Sequence, residues 1–116
     1  MNLAIASAQR AICAKHNAPY MVLDLELKVG AANLDTGLRP LNGLRHPPEG
    51  DTTGWYLWAG EELSQADDFF RPLCARHLED VCPQVLPYLG LPPGWRFLIA
   101  DGYEDVWFDE ALLAPR

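Results

Sequence analysis

Two short segments of the sequence carry the residues best suited to metal binding or thiol chemistry. Residues 10–16 and 71–77 share arginine, cysteine, alanine and histidine in register, and each contains a Cys-x-x-His pair: Cys13 with His16, and Cys74 with His77. Residues three apart lie on the same face of a helix, so each pair offers two adjacent ligands. Together the two pairs supply the four nitrogen and sulfur ligands of a tetrahedral zinc site.

The second segment also suggests a nucleophilic pair, because an imidazole within reach of a thiol lowers the pKa of the thiol and activates it. Cys74 and His77 have that spacing, but the surrounding sequence shows no glycine-rich nucleophile turn and no oxyanion-binding device. Both residues and Cys82 fall within an apolar stripe, and cysteine is among the residues most often buried. We therefore expect core packing here, with no catalysis, no metal and no other cofactor.

Carboxylate pairs are the next candidates, because two acids with different pKa values can act as general acid and base or hold a divalent cation. The sequence contains five adjacent pairs: Glu61-Glu62, Asp67-Asp68, Glu79-Asp80, Glu104-Asp105 and Asp109-Glu110. Adjacent side chains on a helix or strand point in different directions, and no calcium-loop spacing is present. The pairs therefore predict a solvated acidic face.

The net charge of the chain limits its partners. Sixteen acidic residues outnumber nine lysines and arginines, which gives a formal charge of −7. The excess lies in residues 51–116, with 12 acidic and 4 basic residues, whereas residues 1–50 have 4 and 5. A nucleic-acid-binding protein normally carries a basic stripe, and an anionic membrane repels this charge, so we expect neither partner.

The cysteines and the N-terminus indicate the compartment. Three cysteines cannot all pair within one chain, which fits a reducing environment. The first residues lack the basic start and the long apolar run of a signal peptide, and no later run approaches the roughly 20 residues that span a bilayer. We therefore expect a soluble cytoplasmic protein.

Hydrophobic periodicity predicts the elements that position these residues. Apolar residues three and four apart predict an amphipathic helix over residues 3–16. Strict alternation of apolar and charged residues predicts a strand over residues 21–29. Frequent glycine, asparagine and proline after it, including Asn42-Gly43, predict loops with one short hairpin near residues 36–46.

The second half alternates strands with helix. A capping-box-like start at Ser64 and an apolar stripe over residues 70–85 predict a helix that restarts at its prolines. A continuous apolar and aromatic run predicts a strand at residues 54–59 that is covered on both faces. Alternation predicts two further strands, at residues 95–99 and 106–108. This order predicts one α+β domain over residues 1–116, with a mainly antiparallel sheet and helices packed on one face.

Aromatic residues interleave with the acidic pairs. Tryptophan and tyrosine dominate interface hot spots, while charge of one sign at the rim steers a partner of the opposite sign. The residues concerned are Trp55, Trp58, Trp95, Trp107 and Tyr103. We expect most of these rings in the core and one or two exposed at an interface.

Short blocks of sequence are shared with a known family. They are Asp51-Thr52-Thr53-Gly54-Trp55 followed by Gly60-Glu61-Glu62, then Pro87-Tyr88-Leu89, and finally Pro93-Gly94-Trp95-Arg96-Phe97. On these blocks the chain resembles the immunity protein 33-like domain family, with a family-like core over residues 20–110. Arg45 resembles the arginine that precedes the Gly-Trp block in that family. Residues 63–70 replace a shorter acidic link, and the N-terminal helix, residues 1–17, lies outside the resemblance.

The resemblance implies a small bacterial cytoplasmic protein that binds and neutralises a cognate toxin of a polymorphic-toxin system. An acidic domain without a catalytic set is compatible with this role, because negative charge accelerates capture of a basic protein such as a nuclease. We assign Gly54 and Trp55 to the fold. We expect the contact surface to consist of Arg45, Trp58, Glu61, Glu62, Glu104 and Asp105.

Two other classes of function stay open. The first is a small zinc-binding or thiol-dependent enzyme, whose residues are Cys13, His16, Cys74 and His77. Metal analysis of the purified protein separates it from an immunity protein, since a zinc enzyme holds about one zinc per chain. The second is a homo-oligomeric structural subunit, which sizing at two protein concentrations tests.

Overall fold

The computed structural model describes residues 3–114, which form a six-stranded sheet with helices packed against it. Residues 1, 2, 115 and 116, at the ends of the predicted 1–116 domain, lie outside the described residues. In chain order the elements are α1 Leu3–Lys15, β1 Lys28–Ala32, β2 Leu41–Arg45, β3 Thr52–Ala59, β4 Arg71–Cys74, the 3-10 helix Ala75–His77, α2 Leu78–Val81, the 3-10 helix Pro83–Tyr88, β5 Trp95–Ala100, β6 Tyr103–Phe108 and the 3-10 helix Glu110–Leu113.

The strands lie in the order β4-β1-β3-β2-β5-β6. β1 pairs with β3 in parallel, while the other four neighbouring pairs are antiparallel. β4 and β6 are the two edges of the sheet. The predicted α+β fold with a mainly antiparallel sheet is confirmed, and so are the predicted helix near the N-terminus and the strands that became β3, β5 and β6.

The main core lies on one face of the sheet, which we call the helix face and which carries Trp55, Leu57 and Phe97. α1 packs here against the 3-10 helix Pro83–Tyr88, and the ring of Tyr88 stacks on Phe97. Two buried side chains of α1 fix the contact. Gln9 Nε2 donates to Leu86 O at 2.9 Å, and Cys13 Sγ donates to Gly90 O at 3.3 Å.

The opposite face of the sheet, which we call the loop face, has a smaller core. It is formed by Ala32, Leu44, Trp58 and Leu112. Residues 60–70, which we call the acidic loop, run from the end of β3 to β4 and place Phe69 and Phe70 against this core. One face of the sheet is therefore covered by helices, and the other is covered in part, by the acidic loop and the 3-10 helix Glu110–Leu113.

The predicted strand over residues 21–29 is wrong in its first part, since β1 begins only at Lys28. Asp24 Oδ1 accepts from Glu26 N at 3.0 Å and Asp24 O accepts from Leu27 N at 3.2 Å, so the chain turns here. An aspartate side chain that binds the backbone two residues on favours such a turn over a strand. Leu23 is nevertheless buried, because the side chains still alternate between core and solvent.

The predicted helix from Ser64 is also wrong over its first part. Residues 71–74 form β4 beside β1, and α2 spans only four residues between two 3-10 helices. Pro72 cannot continue a helix interior, but an edge strand tolerates its missing N–H. None of the helices formed by residues 3–114 has the length and apolar content that a membrane crossing requires.

The hairpin expected near residues 36–46 is displaced. Asn42 and Gly43 lie in the central strand β2, which forms its hairpin with β3 through residues 46–51. A Cβ atom on Gly43 would lie 2.2 Å from Phe97 Cε2, so only glycine fits under that ring. Asn42 Nδ2 donates to Trp58 O and Gly60 O, which fixes the point where β3 ends.

Candidate functional site

The Asp-x-x-Gly-Trp block builds a bulge at the start of β3. Lys28 pairs with Thr52 and Gly30 pairs with Tyr56, so β3 has two extra residues between these pairs. Thr53 Oγ1 donates to Lys28 O at 3.0 Å and accepts from Trp55 N at 3.1 Å. Gly54 has a φ of +90°, and a Cβ atom there would lie 1.9 Å from His46 O. The block therefore specifies backbone geometry.

Arg45 is 2% exposed and completes this bulge from the helix face. Its Nε donates to Thr53 O at 2.9 Å, and its Nη1 donates to Leu91 O at 2.8 Å. The guanidinium carbon lies 5.5 Å from the centre of the Trp55 ring. Burial lowers the pKa of Arg45 to about 10. The side chain joins β3 to the segment before β5, so it offers no charge at the surface.

Trp58 is 5% exposed and belongs to the small core of the loop face. Its ring meets Phe70 edge-to-face, with ring centres 6.0 Å apart, which holds the end of the acidic loop on the sheet. The structure therefore places Arg45 and Trp58 inside the fold, on opposite faces of the sheet.

Glu104 is engaged within the chain. Its Oε2 accepts from Lys15 Nζ at 2.8 Å, and its Oε1 accepts from Tyr88 Oη. The hydrogen bonds from Lys15 and Tyr88 hold the pKa of Glu104 below its ordinary value. Burial, with a smaller effect of the glutamate, raises the pKa of Tyr88. Glu104 thus connects β6 to α1 and to the 3-10 helix Pro83–Tyr88.

This arrangement predicts a pH-dependent effect of Glu104→Gln. A carboxyl whose pKa is depressed by folding stabilises the protein above its unfolded pKa of about 4.3, and that contribution is lost as pH falls through the folded value. We expect the variant to melt below wild type at pH 7, with a difference that shrinks under acid. Thermal unfolding across pH checks this, with Asp105→Asn as the control. A difference that is constant with pH would contradict the role of the ionised carboxylate.

The other three acidic residues expected at the contact surface, Glu61, Glu62 and Asp105, lie toward one end of the sheet. Ala59 pairs with Leu41, Leu41 with Ile99, and Ile99 with Glu104, so the end of β3 and the start of β6 are level. Glu61 and Glu62 are exposed just beyond β3, about 14 Å from β6, since three strand spacings of about 4.8 Å separate them. Asp105 is exposed, and its register with Leu98 places it on the loop face, opposite to Glu104.

The loop face is open beside these acids. Leu98 and Trp107 are partly exposed on β5 and β6, and Tyr103 is 56% exposed. The Arg96 guanidinium lies 5.3 Å from the centre of the Trp107 ring and donates to Asp109 Oδ2 at 3.1 Å. The sequence interpretation did not select Tyr103 and Trp107 for the site. The sequence feature that indicates them is the strand period of two, which places residues 103, 105 and 107 on the same face of β6.

A groove of about 490 Å³ lies between the acidic loop and strands β2 and β3. Its lining includes Leu44, His46, Tyr56, Leu63, Asp67 and Phe70. Together with the open part of β5 and β6, this groove makes the loop face the candidate site for binding another molecule.

The two Cys-x-x-His pairs do not form a centre. Cys13 Sγ donates to Gly90 O, while Cys74 Sγ donates to Leu25 O at 3.3 Å. Burial raises the pKa of Cys13 and Cys82, the opposite of what a thiolate nucleophile needs. Within residues 3–114, no three histidine, cysteine, aspartate or glutamate side chains are arranged to hold a metal ion. The zinc and thiol interpretation therefore gains no support from this geometry.

A comparison with known protein families gives a match over most of the chain. The family model described as Imm33-like domain matches residues 8–109. The match begins inside α1, so the N-terminal helix that was expected to lie outside the resemblance belongs to it in part. No curated protein and no solved structure matches the chain.

Proposed function

The chain belongs to the Imm33-like domain family, and we propose that it is an immunity protein that binds a cognate bacterial toxin in the cytoplasm and neutralises it without catalysis. The family match, which covers residues 8–109, is the observation that carries this proposal. We place the contact surface on the loop face of the sheet. It comprises the acidic loop, with Glu61 and Glu62, and the exposed part of β6, with Tyr103, Asp105 and Trp107.

Three of the six residues expected at the contact surface are left out of this proposal. Arg45 and Trp58 are buried, and Glu104 is bound by Lys15 and Tyr88 on the helix face. Glu61, Glu62 and Asp105 remain, since all three are exposed. Tyr103 and Trp107 supply aromatic area beside Asp105, and rigid rings of this kind serve as anchors in protein interfaces.

The charge of this surface favours a basic partner. The acidic loop contains four carboxylates and no lysine or arginine: Glu61, Glu62, Asp67 and Asp68. Complementary charge steers two proteins together and raises their association rate, and salt weakens that effect. A toxin with a basic active-site face, such as a nuclease, fits this surface.

Charge reversal tests the proposed surface. We expect Glu61→Lys with Glu62→Lys to lower the association rate with the partner toxin by about ten-fold at low salt, because it inverts the steering field. The difference should shrink as salt rises, since the Debye length falls to about 8 Å at physiological ionic strength. Stopped-flow mixing with the purified partner, over a series of salt concentrations, measures both effects.

The matched control is Glu79→Lys with Asp80→Lys, which makes the same change in net charge. Both residues are exposed in α2, away from the loop face. This control should keep an association rate near that of wild type. Equal rates for wild type and the Glu61/Glu62 variant, or equal loss in both double variants, would sink the surface assignment.

A further inference from the structure

We infer that the groove beneath the acidic loop receives an arginine side chain of the partner. The inference rests on the proposed function, because the partner protein supplies that side chain. The groove offers two aromatic walls and one carboxylate: Tyr56 and Phe70 form the walls, and Asp67 lies on the loop above them. A guanidinium is planar, stacks on aromatic faces and donates to a carboxylate in a fixed fork, so it suits such a lining.

The aromatic walls are held in place before any partner arrives. Tyr56 meets Phe70 edge-to-face with ring centres 5.1 Å apart, and it meets His46 in the same way at 5.6 Å. His46 Nδ1 lies 3.1 Å from Leu112 O, so the C-terminal 3-10 helix fixes that ring. A preformed wall lowers the ordering cost of binding.

The charge of the groove selects a cation. Among residues 3–114, no lysine or arginine lines it, and Asp67 is its carboxylate. Within residues 3–114, none of the four acids of the acidic loop takes part in an ion pair. No ion pair among the described residues therefore neutralises their charge. A cation in the groove meets an attractive field together with the aromatic faces.

The neighbouring cavity shows the opposite chemistry. It has a volume of about 380 Å³ and shares Tyr56 and Phe70 as a wall, but Lys28 and Arg71 line it. Asp51 also lines it and pairs through Oδ2 with Lys28 Nζ at 2.9 Å, so Arg71 leaves one positive charge in excess. A guanidinium meets an excess of positive charge there, so the two cavities that share Tyr56 and Phe70 differ in the sign of their charge.

Amide NMR of the whole chain tests the inference, with arginine amide as the probe and citrulline amide as its neutral isostere. We expect arginine amide to shift the amides around Tyr56, Leu63 and Asp67, and citrulline amide to leave them in place. Asp67→Asn should weaken arginine amide binding by roughly five-fold, the order expected for a partly exposed ion pair. Asp80→Asn, a control that removes an exposed carboxylate of α2 away from the groove, should bind as wild type does.

Several outcomes would overturn the inference. They are equal shifts with citrulline amide, shifts centred on the cavity of Lys28 and Arg71, an Asp67→Asn variant that binds like wild type, and no shift up to the solubility limit of the probe. The titration uses the free chain, so it is independent of the toxin. If the toxin binds but arginine amide does not shift the amides around the groove, this inference fails and the proposed function stands. A groove that binds arginine amide in a chain without a toxin partner removes the proposed function and the toxin as the source of the arginine, while the preference of the groove for a guanidinium stands.

Discussion

Replacing Trp55 by alanine is expected to lower the free energy of unfolding by about 3–5 kcal/mol, the usual cost of truncating a buried tryptophan. The side chain is 1% exposed, and the centre of its ring lies 5.7 Å from the centre of the Phe97 ring. Its Nε1 donates to Leu89 O at 3.2 Å. The variant leaves a cavity in the main core and an unpaired carbonyl. Urea unfolding followed by circular dichroism measures the loss.

The matched control for this effect is Trp107→Ala. Trp107 is a tryptophan on the open part of the loop face, partly exposed and in contact with Arg96. Its truncation should cost less than half as much, because it leaves no closed cavity. Similar losses in the two variants would contradict the assignment of Trp55 to the fold. Since domains are stable by only about 5–15 kcal/mol, the Trp55→Ala variant should also lie near its unfolding threshold.

Arg45→Met is expected to be the second most damaging change, with a loss of about 2–5 kcal/mol. It removes both donors to Thr53 O and Leu91 O, and each buried carbonyl left unpaired costs about 1–3 kcal/mol. Methionine keeps most of the volume and apolar length, so the loss reports the hydrogen bonds. The same urea titration measures it.

Arg39→Met is the control for this second prediction. Arg39 is exposed and donates to the nearby carbonyls of Gly37 and Leu38. Its replacement should change stability by less than about 0.5 kcal/mol, as surface substitutions usually do. If Arg45→Met were as stable as wild type and bound the toxin more weakly, Arg45 would be a contact residue after all.

Sequence alone predicted well those strands whose apolar pattern agrees with the faces that are buried in the fold. In β5 apolar residues alternate over its first part, whereas β3 carries a continuous apolar run and is covered on both faces. β4 was missed because residues 70–85 also carry apolar side chains at helical spacing. An edge strand of four residues exists only through its pairing with β1, which no local pattern reveals.

The candidate site was predicted only in part for a similar reason. A charged residue is normally exposed, and Arg45 is buried because the β3 bulge turns Thr53 O toward it. Trp58 is covered because the acidic loop folds back over the sheet and brings Phe70 onto it. Exposure at these positions depends on distant segments, whereas Glu61, Glu62 and Asp105 could be placed at the surface from their charge.

The Gly-Trp part of the family signature and the proposed contact surface lie in different parts of the molecule. Arg45, Gly54 and Trp55 build the β3 bulge and the main core. The proposed surface occupies the acidic loop and β6 on the loop face. Side chains of the proposed surface can therefore change without disturbing the bulge.

Affinity capture with the tagged chain from lysate of its own source cell, at low and high salt, tests the central claim most directly. The Glu61→Lys/Glu62→Lys chain serves as the parallel bait, and retained proteins are identified by mass. The account predicts one stoichiometric partner with a toxin-like C-terminal domain, held at low salt by the wild-type chain and weakly by the variant. Recovery of the chain alone, from cells shown to express the neighbouring genes, would contradict it.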